Sequence, residues 1–350
     1  MSSLHHILEK KILKEGPLKI STFMDLCLFH PHHGYYRKSL PLGGSGDFIT
    51  APEISQLFGE MIGLYFVDLW EKLGAPISFN FIEFGPGNGT LLRDIMGVFQ
   101  KFSLLNKAQF FLLEINPRLR QKQDLLWRPF GVPCRWFDEI STLLTALSSL
   151  PTFFVGNEFL DVFPINQHIF KETRWWERCI TFETGSFKVE DIPCSTPPLG
   201  FPNNPPTQTI FESSPAQEDF FQKLLQGLKA FSFSGLFIDY GYEDGEGDSL
   251  QAISQHKFSS IFDKIGDQDL TAHVNFKRLN TLLKQKAPHI QRQQLLSQGL
   301  FLRNLGIDIR AQMLIQSNPN LKKNFEEALF RLTDPSQMGT LFKVFNLHNT

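Results

Sequence analysis

The sequence is poor in cysteine, in charge of one sign and in long apolar runs. Its 350 residues include four cysteines and no C-x-x-C pair, which argues against a disulfide framework and against a zinc site. The formal net charge is -2 and the pI is about 6.6, so nothing in the charge indicates binding to nucleic-acid phosphates. There is no apolar run of about 18 residues, so no membrane span is predicted.

The N-terminus also lacks the features of a targeting segment. The stretch M-S-S-L-H-H-I-L-E-K-K-I-L-K-E-G has no apolar signal core, and it contains Glu9 and Glu15 but no arginine. These acids argue against a mitochondrial presequence and favour an ordinary first helix. Because the scattered cysteines are also expected to be reduced thiols, the sequence predicts a cytoplasmic protein.

Apolar segments alternate with helical patterns through the middle of the chain. Runs predicted to be strands occupy residues 78–85, 108–115, 134–137, 151–159 and 235–242. Helices predicted from Thr90 and from Pro117 lie between the first three runs. This alternation predicts a parallel sheet covered by helices on both faces, with the 36 phenylalanines as the main filling of its core.

The flanks of this pattern differ from its centre. Helices are predicted at 4–13, at 21–29 with Ser21 or Thr22 as N-cap, and at 55–73. Between the fourth and fifth strands the rhythm breaks, and the segments there predict a hairpin at 174–182 and a proline-rich surface loop at 192–215. The segment 338–347 predicts a last edge strand.

The first predicted strand ends in an acid followed by three alternate glycines. In E-F-G-P-G-N-G, Glu83 precedes Gly85, Gly87 and Gly89, and Pro86 separates the first two glycines. Such a turn between a strand and a helix binds nucleotides, because the missing side chains let a ligand approach the backbone. A dinucleotide pyrophosphate or S-adenosylmethionine would fit, and the acid suits the ammonium group of the latter. An NAD-type site and a tight turn without a ligand remain alternatives.

Acids also lie at the ends of two later strands. Glu114 lies 114 − 89 = 25 residues after the last glycine, where an acid bonds ribose hydroxyls in both cofactor classes or caps the next helix. Glu158 and Asp161 lie at the end of the fourth strand in G-N-E-F-L-D. One carboxylate can hold a guanidinium through two hydrogen bonds and align a nitrogen on a sulfonium methyl, while a second localises charge. Alternatively, both are helix N-terminal acids favoured by the macrodipole.

Taken together, these motifs resemble the MidA family of S-adenosylmethionine-dependent methyltransferases. The matching segments follow the expected order over nearly the whole chain: H-P-H-H-G-Y-Y, G-D-F-I-T-A-P-E-I-S-Q-L-F-G-E, E-F-G-P-G-N-G-T-L, N-E-F-L-D-V-F-P, I-D-Y-G-Y, D-L-T-A-H-V-N-F and M-G-T-L-F-K-V. The loop at 46–60 and the N-E-F segment are specific to this family. The chain departs from it at Asn275, where the family more often has aspartate, and this weakens the transfer of a role to that position.

The resemblance implies an α/β fold of the class I methyltransferase (Rossmann-like) type, with a seven-stranded, mostly parallel sheet. N-terminal helices and an active-site lid loop would occupy 1–75 and the methyltransferase domain 76–350, with an insertion after the fourth strand at about 165–232. The implied cofactor residues are Glu83, Gly85, Pro86, Gly87, Gly89 and Glu114, joined by Asp47, Thr50 and Pro52 from the lid loop. The implied catalytic residues are Asn157 and Glu158, and we add Asp161 from the spacing.

The family's substrate is an arginine of a core subunit of respiratory complex I, which becomes symmetric dimethylarginine. The expected function is therefore methylation of a protein arginine by S-adenosylmethionine, without a metal or a nucleic-acid ligand; a homodimer is left open. One alternative is a non-catalytic cofactor-binding assembly factor for a respiratory complex, against which the intact acids and glycines argue. The other is an NAD-dependent oxidoreductase, which binding of NAD but not S-adenosylhomocysteine would favour.

Overall fold

The computed structural model describes residues 3–38, 50–194, 201–202, 205–243, 247–254, 257–292 and 294–349. These residues form two compact units that each draw on several segments of the chain. The first unit contains the described residues of 1–41, 161–221 and 242–284. The second contains those of 42–160, 222–241 and 285–350.

Helices occur along the whole described chain. They are α1 (Ser3–Glu15), α2 (Ile20–Phe29), α3 (Tyr35–Lys38), α4 (Ala51–Ile54), α5 (Gln56–Lys72), α6 (Thr90–Lys101), α7 (Pro117–Trp127), α8 (Ile140–Thr145), α9 (Pro215–Leu228), α10 (Phe276–Lys286), α11 (Gln298–Asn304), α12 (Ile307–Ser317), α13 (Lys322–Thr333) and α14 (Met338–Leu341). Short 3-10 helices lie at Leu105–Lys107, Arg128–Phe130 and Pro319–Leu321.

The strands are more unequal in length than the helices. They are β1 (Leu18–Lys19), β2 (Phe79–Phe84), β3 (Ala108–Leu113), β4 (Cys134–Phe137), β5 (Thr152–Asn157), β6 (Asn166–Lys171), β7 (Arg174–Glu183), β8 (Ser186–Pro193), β9 (Ile210–Ser213), β10 (Phe233–Tyr242), β11 (Gln251–Ser254), β12 (Lys257–Ser259), β13 (Asp269–Thr271), β14 (Val274–Asn275), β15 (Gln291–Arg292), β16 (Leu296–Ser297) and β17 (Phe342–His348).

The second unit is built on the predicted parallel sheet. Its strand order is β15-β17-β10-β5-β2-β3-β4, and β4, β3, β2, β5 and β10 pair in parallel. β17 runs antiparallel to β10. Seven strands lie along this path, but further short strands such as β16 pair off it, so the predicted count of seven holds only for the main path.

Buried apolar strands explain why this sheet forms. Every residue of β2 and of β5 is buried, as expected for central parallel strands covered on both faces. Phenylalanines supply much of that burial: Phe81 and Phe153 are 0% exposed, and the Phe81 ring packs edge-on against Phe99 of α6 at 5.4 Å. The expected role of phenylalanine in the core is confirmed.

The first unit has an antiparallel sheet instead. Its order is β1-β7-β6-β9, with β8 pairing along β7. The segment 174–182, which was predicted to form a hairpin, is instead one continuous strand, β7, with the antiparallel neighbours β6 and β8. A second, three-stranded sheet has the order β12-β11-β13. Leu4, Leu8 and Phe23 from the N-terminal helices belong to the buried core of this unit.

Three local predictions were wrong. The N-cap of α2 is Lys19, whose side chain makes no capping bond, because the chain enters this helix directly from β1 and the helix begins before Ser21. β17 is not an edge strand, since β15 and β16 pair with it opposite β10. Residues 210–213 of the proline-rich segment form β9, because β6 offers them a partner.

The predicted domain boundary at 75/76 and the insertion at about 165–232 stay predictions. The division into two compact units does not test which segment is an insertion into the other. Among the described residues, no helix combines the length and apolarity needed to cross a bilayer.

Two glycines allow a matched test of packing between β5 and β10. A Cβ at Gly235 would lie 2.3 Å from Cδ2 of Phe154, whereas a Cβ at Gly97 in α6 would meet nothing within 4 Å. We expect Gly235→Ala to lower the free energy of unfolding by about 1–3 kcal/mol through overpacking. Gly97→Ala should raise it by up to about 1 kcal/mol through helix propensity. Urea unfolding measures both, and equal effects would contradict the packing described.

Candidate active site

The register of the central strands brings three chain segments to one edge of the sheet. Phe84 at the end of β2 pairs with Leu113 of β3 on one side and with Gly156 of β5 on the other. The residues that follow these pairs therefore leave the sheet side by side. Gly85 N donates to the carbonyl oxygen of Leu113 at 3.0 Å and extends the ladder by one bond.

The glycine turn has the backbone that its sequence predicts. Gly85, Gly87 and Gly89 have φ values of +65°, +54° and +83°, in the left-handed region that favours glycine. Gly89 N donates to the carbonyl oxygen of Pro86 at 2.8 Å and closes the turn before α6. Space is also limited, because a Cβ at Gly85 would lie 2.9 Å from the ring of Phe159.

Two side chains of α7 hold this turn, and sequence reasoning missed both. Gln123 Nε2 donates to the carbonyl oxygen of Gly87 at 2.7 Å, and Trp127 Nε1 donates to that of Gly89 at 2.8 Å. Gln123 is fully buried, and its Oε1 accepts from Trp136 Nε1 at 2.7 Å. A sequence signal existed: Leu119, Gln123 and Trp127 recur every four residues, which places an amide on the buried stripe of a helix.

Glu83 is a buried carboxyl group in the middle of this site. It is 2% exposed, and no described residue donates a hydrogen bond to its Oε2. Burial, with the nearby negative charge of Glu114 as the lesser cause, raises the pKa of Glu83 to about 8. A buried acceptor without a donor is costly, and the ammonium group of a bound amino acid can supply that donor.

Glu114 lies beside it at the end of β3 and is better satisfied. Its Oε1 accepts from Asn116 N at 2.8 Å, and its Oε2 accepts from Gln123 Nε2 at 3.3 Å. Burial raises the pKa of Glu114 to about 7, although these hydrogen bonds favour the charged form. The predicted alternative role of Glu114 was to cap the next helix. The N-cap of α7 is instead Asn116, whose Oδ1 accepts from Arg118 N and Leu119 N.

The end of β5 brings together Asn157, Glu158 and the start of α4. Glu158 has a φ of +50°, which is rare for a residue with a Cβ. Its Oε1 accepts from Ala51 N at 3.0 Å and from Asn157 Nδ2 at 3.2 Å. The carboxylate therefore joins the end of the fourth parallel strand to the backbone between Thr50 and Pro52.

The lid-loop residues are only partly accounted for. Thr50 is the N-cap of α4 and Pro52 lies in its first turn, one residue either side of the Ala51 amide that bonds Glu158. Asp47 lies outside the described residues. Glu53, which the sequence reasoning did not select, accepts from Thr90 Oγ at 2.5 Å and so links α4 to the first residue of α6.

Asp161 belongs to the first compact unit, whereas Glu158 belongs to the second. Asp161 is 5% exposed, and its carbonyl oxygen accepts from Ala272 N at 3.0 Å. Its predicted partnership with Glu158 stays a prediction.

Comparison with known proteins identifies the family of the chain. Residues 61–293 match a family of S-adenosyl-L-methionine-dependent methyltransferases. The chain belongs to this family. It is therefore a methyltransferase that uses S-adenosylmethionine, and the predicted enzyme class and cofactor are confirmed. The comparison supports methyl transfer over both alternatives, the oxidoreductase and the non-catalytic assembly factor.

Named relatives extend over nearly the whole chain. Protein arginine methyltransferase NDUFAF7 of Bos taurus, a mitochondrial protein, is 29% identical over 98% of this chain and 82% of its own length. The Drosophila melanogaster homolog of that protein is 30% identical over 97% of this chain and 84% of its own.

A solved structure confirms the fold. A Burkholderia thailandensis protein bound to S-adenosyl-homocysteine superposes with a TM-score of 0.83 at 23% identity, covering 99% of this chain and 92% of that one. The predicted class I methyltransferase architecture is therefore correct.

The predicted cytoplasmic location is wrong when set against these relatives, which are named as mitochondrial proteins. The physical reason is that none of the signals used separates the two compartments. Glu9 and Glu15, which argued against a presequence, lie in α1, whose Leu4 and Leu8 are buried in the core, so these acids reflect the fold and not the compartment. Few cysteines and no apolar span argue against the secretory route and against membranes, but they do not distinguish cytosol from mitochondrion.

The buried acids predict a pH dependence of stability in the absence of the cofactor. The folded-state pKa of Glu83 is raised from 4.5 to about 8, so its contribution is fully present below 4.5 and is lost as pH rises through 8. We expect the free energy of unfolding to fall by a few kcal/mol across that window. Glu83→Gln should flatten this part of the profile. Urea unfolding at several pH values measures the free energy of unfolding of the wild type and of Glu83→Gln. If the two proteins show the same pH dependence, groups other than Glu83 cause it.

Proposed function

We propose that this methyltransferase modifies an arginine side chain of a protein and that Glu158 binds the guanidinium. The main support for this proposal is the position of Glu158 at the carboxyl end of β5, directly beside the glycine turn that follows β2. The names of the relatives, protein arginine methyltransferases at 29% and 30% identity, support the same acceptor.

The proposed cofactor site consists of the glycine turn and the acids on either side of it. When bound, S-adenosylmethionine supplies a methyl group on a positively charged sulfur. Glu83 Oε2 would accept from its ammonium group, which explains a buried acceptor that no described residue satisfies. Glu114 would bond the ribose hydroxyls through the remaining lone pairs of its carboxylate. Pro86, Thr50, Pro52 and Asp47 complete the proposed set.

The proposed acceptor site is centred on the Glu158 carboxylate. A guanidinium binds a carboxylate through two parallel hydrogen bonds, and this fixes the plane and direction of the acceptor nitrogen. The nitrogen that gains a methyl must lose one proton, and the Glu158 carboxylate is the group placed to accept it. Asn157 Nδ2 holds Oε1 of that carboxylate, and Asp161 is the proposed second acid.

The proposed acceptor protein follows from the family resemblance. We take a core subunit of respiratory complex I as the first candidate, with symmetric dimethylarginine as the product. A purified subunit and a matched variant in which the target arginine is lysine, incubated with a radiolabelled methyl donor, test this choice. Label on other proteins alone would keep the arginine proposal and remove the complex I subunit.

Removing the charge of Glu158 should separate binding from transfer. Glu158→Gln keeps the shape and the Oε1 acceptor but cannot take the proton or balance the guanidinium charge. We expect methyl transfer to fall by about 100-fold or more while S-adenosylhomocysteine affinity is retained. The matched control is Glu60→Gln, which neutralises a carboxylate of α5 that bonds Arg310 at 2.8 Å. Transfer at the wild-type rate by the Glu158 variant would refute the assigned role.

A bulky residue at Gly87 should remove the cofactor site. Valine is strained at a φ of +54°, and its side chain would occupy the space that a ligand needs against the backbone. We expect Gly87→Val to weaken S-adenosylhomocysteine binding by at least about tenfold, or about 1.4 kcal/mol. Isothermal titration measures this against Gly97→Ala, a glycine replacement in open space in α6. Equal affinity of the two variants for S-adenosylhomocysteine would show that the cofactor does not bind at this turn.

A further inference from the structure

The turn that leaves β5 has an unfavourable backbone conformation. Glu158 N donates to the carbonyl oxygen of Ile238 at 2.9 Å, so the β5–β10 ladder continues for one residue past the strand. At Glu158 the chain then turns with a φ of +50°. A glutamate in this region costs energy, so the surrounding structure must hold it there.

Asp239 of β10 is the group that holds this turn. Its Oδ2 accepts from Phe159 N at 3.0 Å and from Leu160 N at 2.7 Å. Its Oδ1 accepts from Tyr240 N at 3.0 Å, and the side chain is 0% exposed. Successive backbone N–H groups next to a left-handed residue form a concave anion site, and here the anion is part of the same protein.

The same turn also lies against the cofactor side of the site. The Phe159 ring stacks on Phe84 at 5.7 Å and on Phe237 at 6.5 Å. It is the ring that a Cβ at Gly85 would strike at 2.9 Å. The Phe159 ring therefore lies under the first glycine through its own stacking contacts, while the backbone before it sets the direction of the Glu158 side chain.

We infer that Asp239 is a positioning residue for methyl transfer, which acts by holding the Glu158 turn in its left-handed conformation. The inference rests on the proposed role of Glu158. Asp239 is assigned no contact with the guanidinium and no proton transfer. Its effect on the reaction passes through the backbone of residues 158–160.

Asp239→Asn should misplace Glu158 without removing it. An amide has a single oxygen, so it cannot accept from the backbone N–H groups of Phe159, Leu160 and Tyr240 as the carboxylate does. Its NH₂ group would face at least one of these N–H donors. We expect kcat at saturating cofactor to fall by about 100-fold, as a displacement of about 1 Å produces. S-adenosylhomocysteine affinity and the unfolding transition should change no more than in Glu60→Gln, the matched loss of a buried carboxylate.

A double variant distinguishes positioning from a general loss of structure. Adding Asp239→Asn to Glu158→Gln should lower the residual transfer rate little further, because the group that Asp239 positions has already lost its function. A full second loss, or turnover in Asp239→Asn equal to that of Glu60→Gln, would overturn the inference. Wild-type transfer by Glu158→Gln alone would instead overturn the proposed function.

If Asp239→Asn does not fold, Glu158→Gly is added to it. Glycine adopts a φ of +50° without penalty, so the double variant should regain its folded far-UV spectrum and its S-adenosylhomocysteine binding if Asp239 serves to hold that residue. A double variant that stays unfolded would show that Asp239 is needed for more than the conformation of residue 158, and it would overturn the inference.

Discussion

The parallel pairing of β2 with β3 and with β5 is the constraint on which the rest of the site depends. In this register Glu83 lies between Leu112 and Val155, and the chain leaves all three strands at the same edge. A slip of one residue would move the glycine turn by about 3.3 Å relative to Glu158. It would also reverse which side chains face each layer of helices. The apolar contacts of the core therefore fix the distances between the groups to which we assign the chemistry.

That core is made of phenylalanine to an unusual degree, and this affects the acids at its edge. Phe84 and Phe154 are fully buried close to Glu83 in the same sheet. Water is excluded there, so the carboxyl group is destabilised in its charged form until a cation arrives. The same desolvation strengthens the attraction for a bound ammonium group. Under the proposed cofactor contact, the stability lost by burying Glu83 is offset by tighter cofactor binding, as is common at functional sites.

Much of this arrangement could be predicted from sequence, because the signals are local. The alternating strands and helices, the glycine turn, and the acids at 83, 114 and 158 each occupy a few neighbouring residues. The partners of these groups could not be predicted in the same way. Gln123 bonds a carbonyl 36 positions earlier in the chain, and only the packing of α7 against the turn brings the two together. The edge assignment of 338–347 failed for the same reason, since β15 and β16 reach β17 through tertiary structure alone.

Glu158 shows most clearly why local sequence rules fail at the site that we propose to be functional. Its side chain argues against a left-handed backbone, and the hydrogen bond from the adjacent Asn157 reaches the carboxylate and not the backbone. Compensation comes from Asp239, which is 239 − 158 = 81 residues later and adjacent only because β5 and β10 pair, with Asn157 beside Ile238. A conformation that opposes residue preference and is held by a fully buried carboxylate is not explained by packing, for which a glycine would serve better. It is explained if the carboxylate of residue 158 is needed in that place.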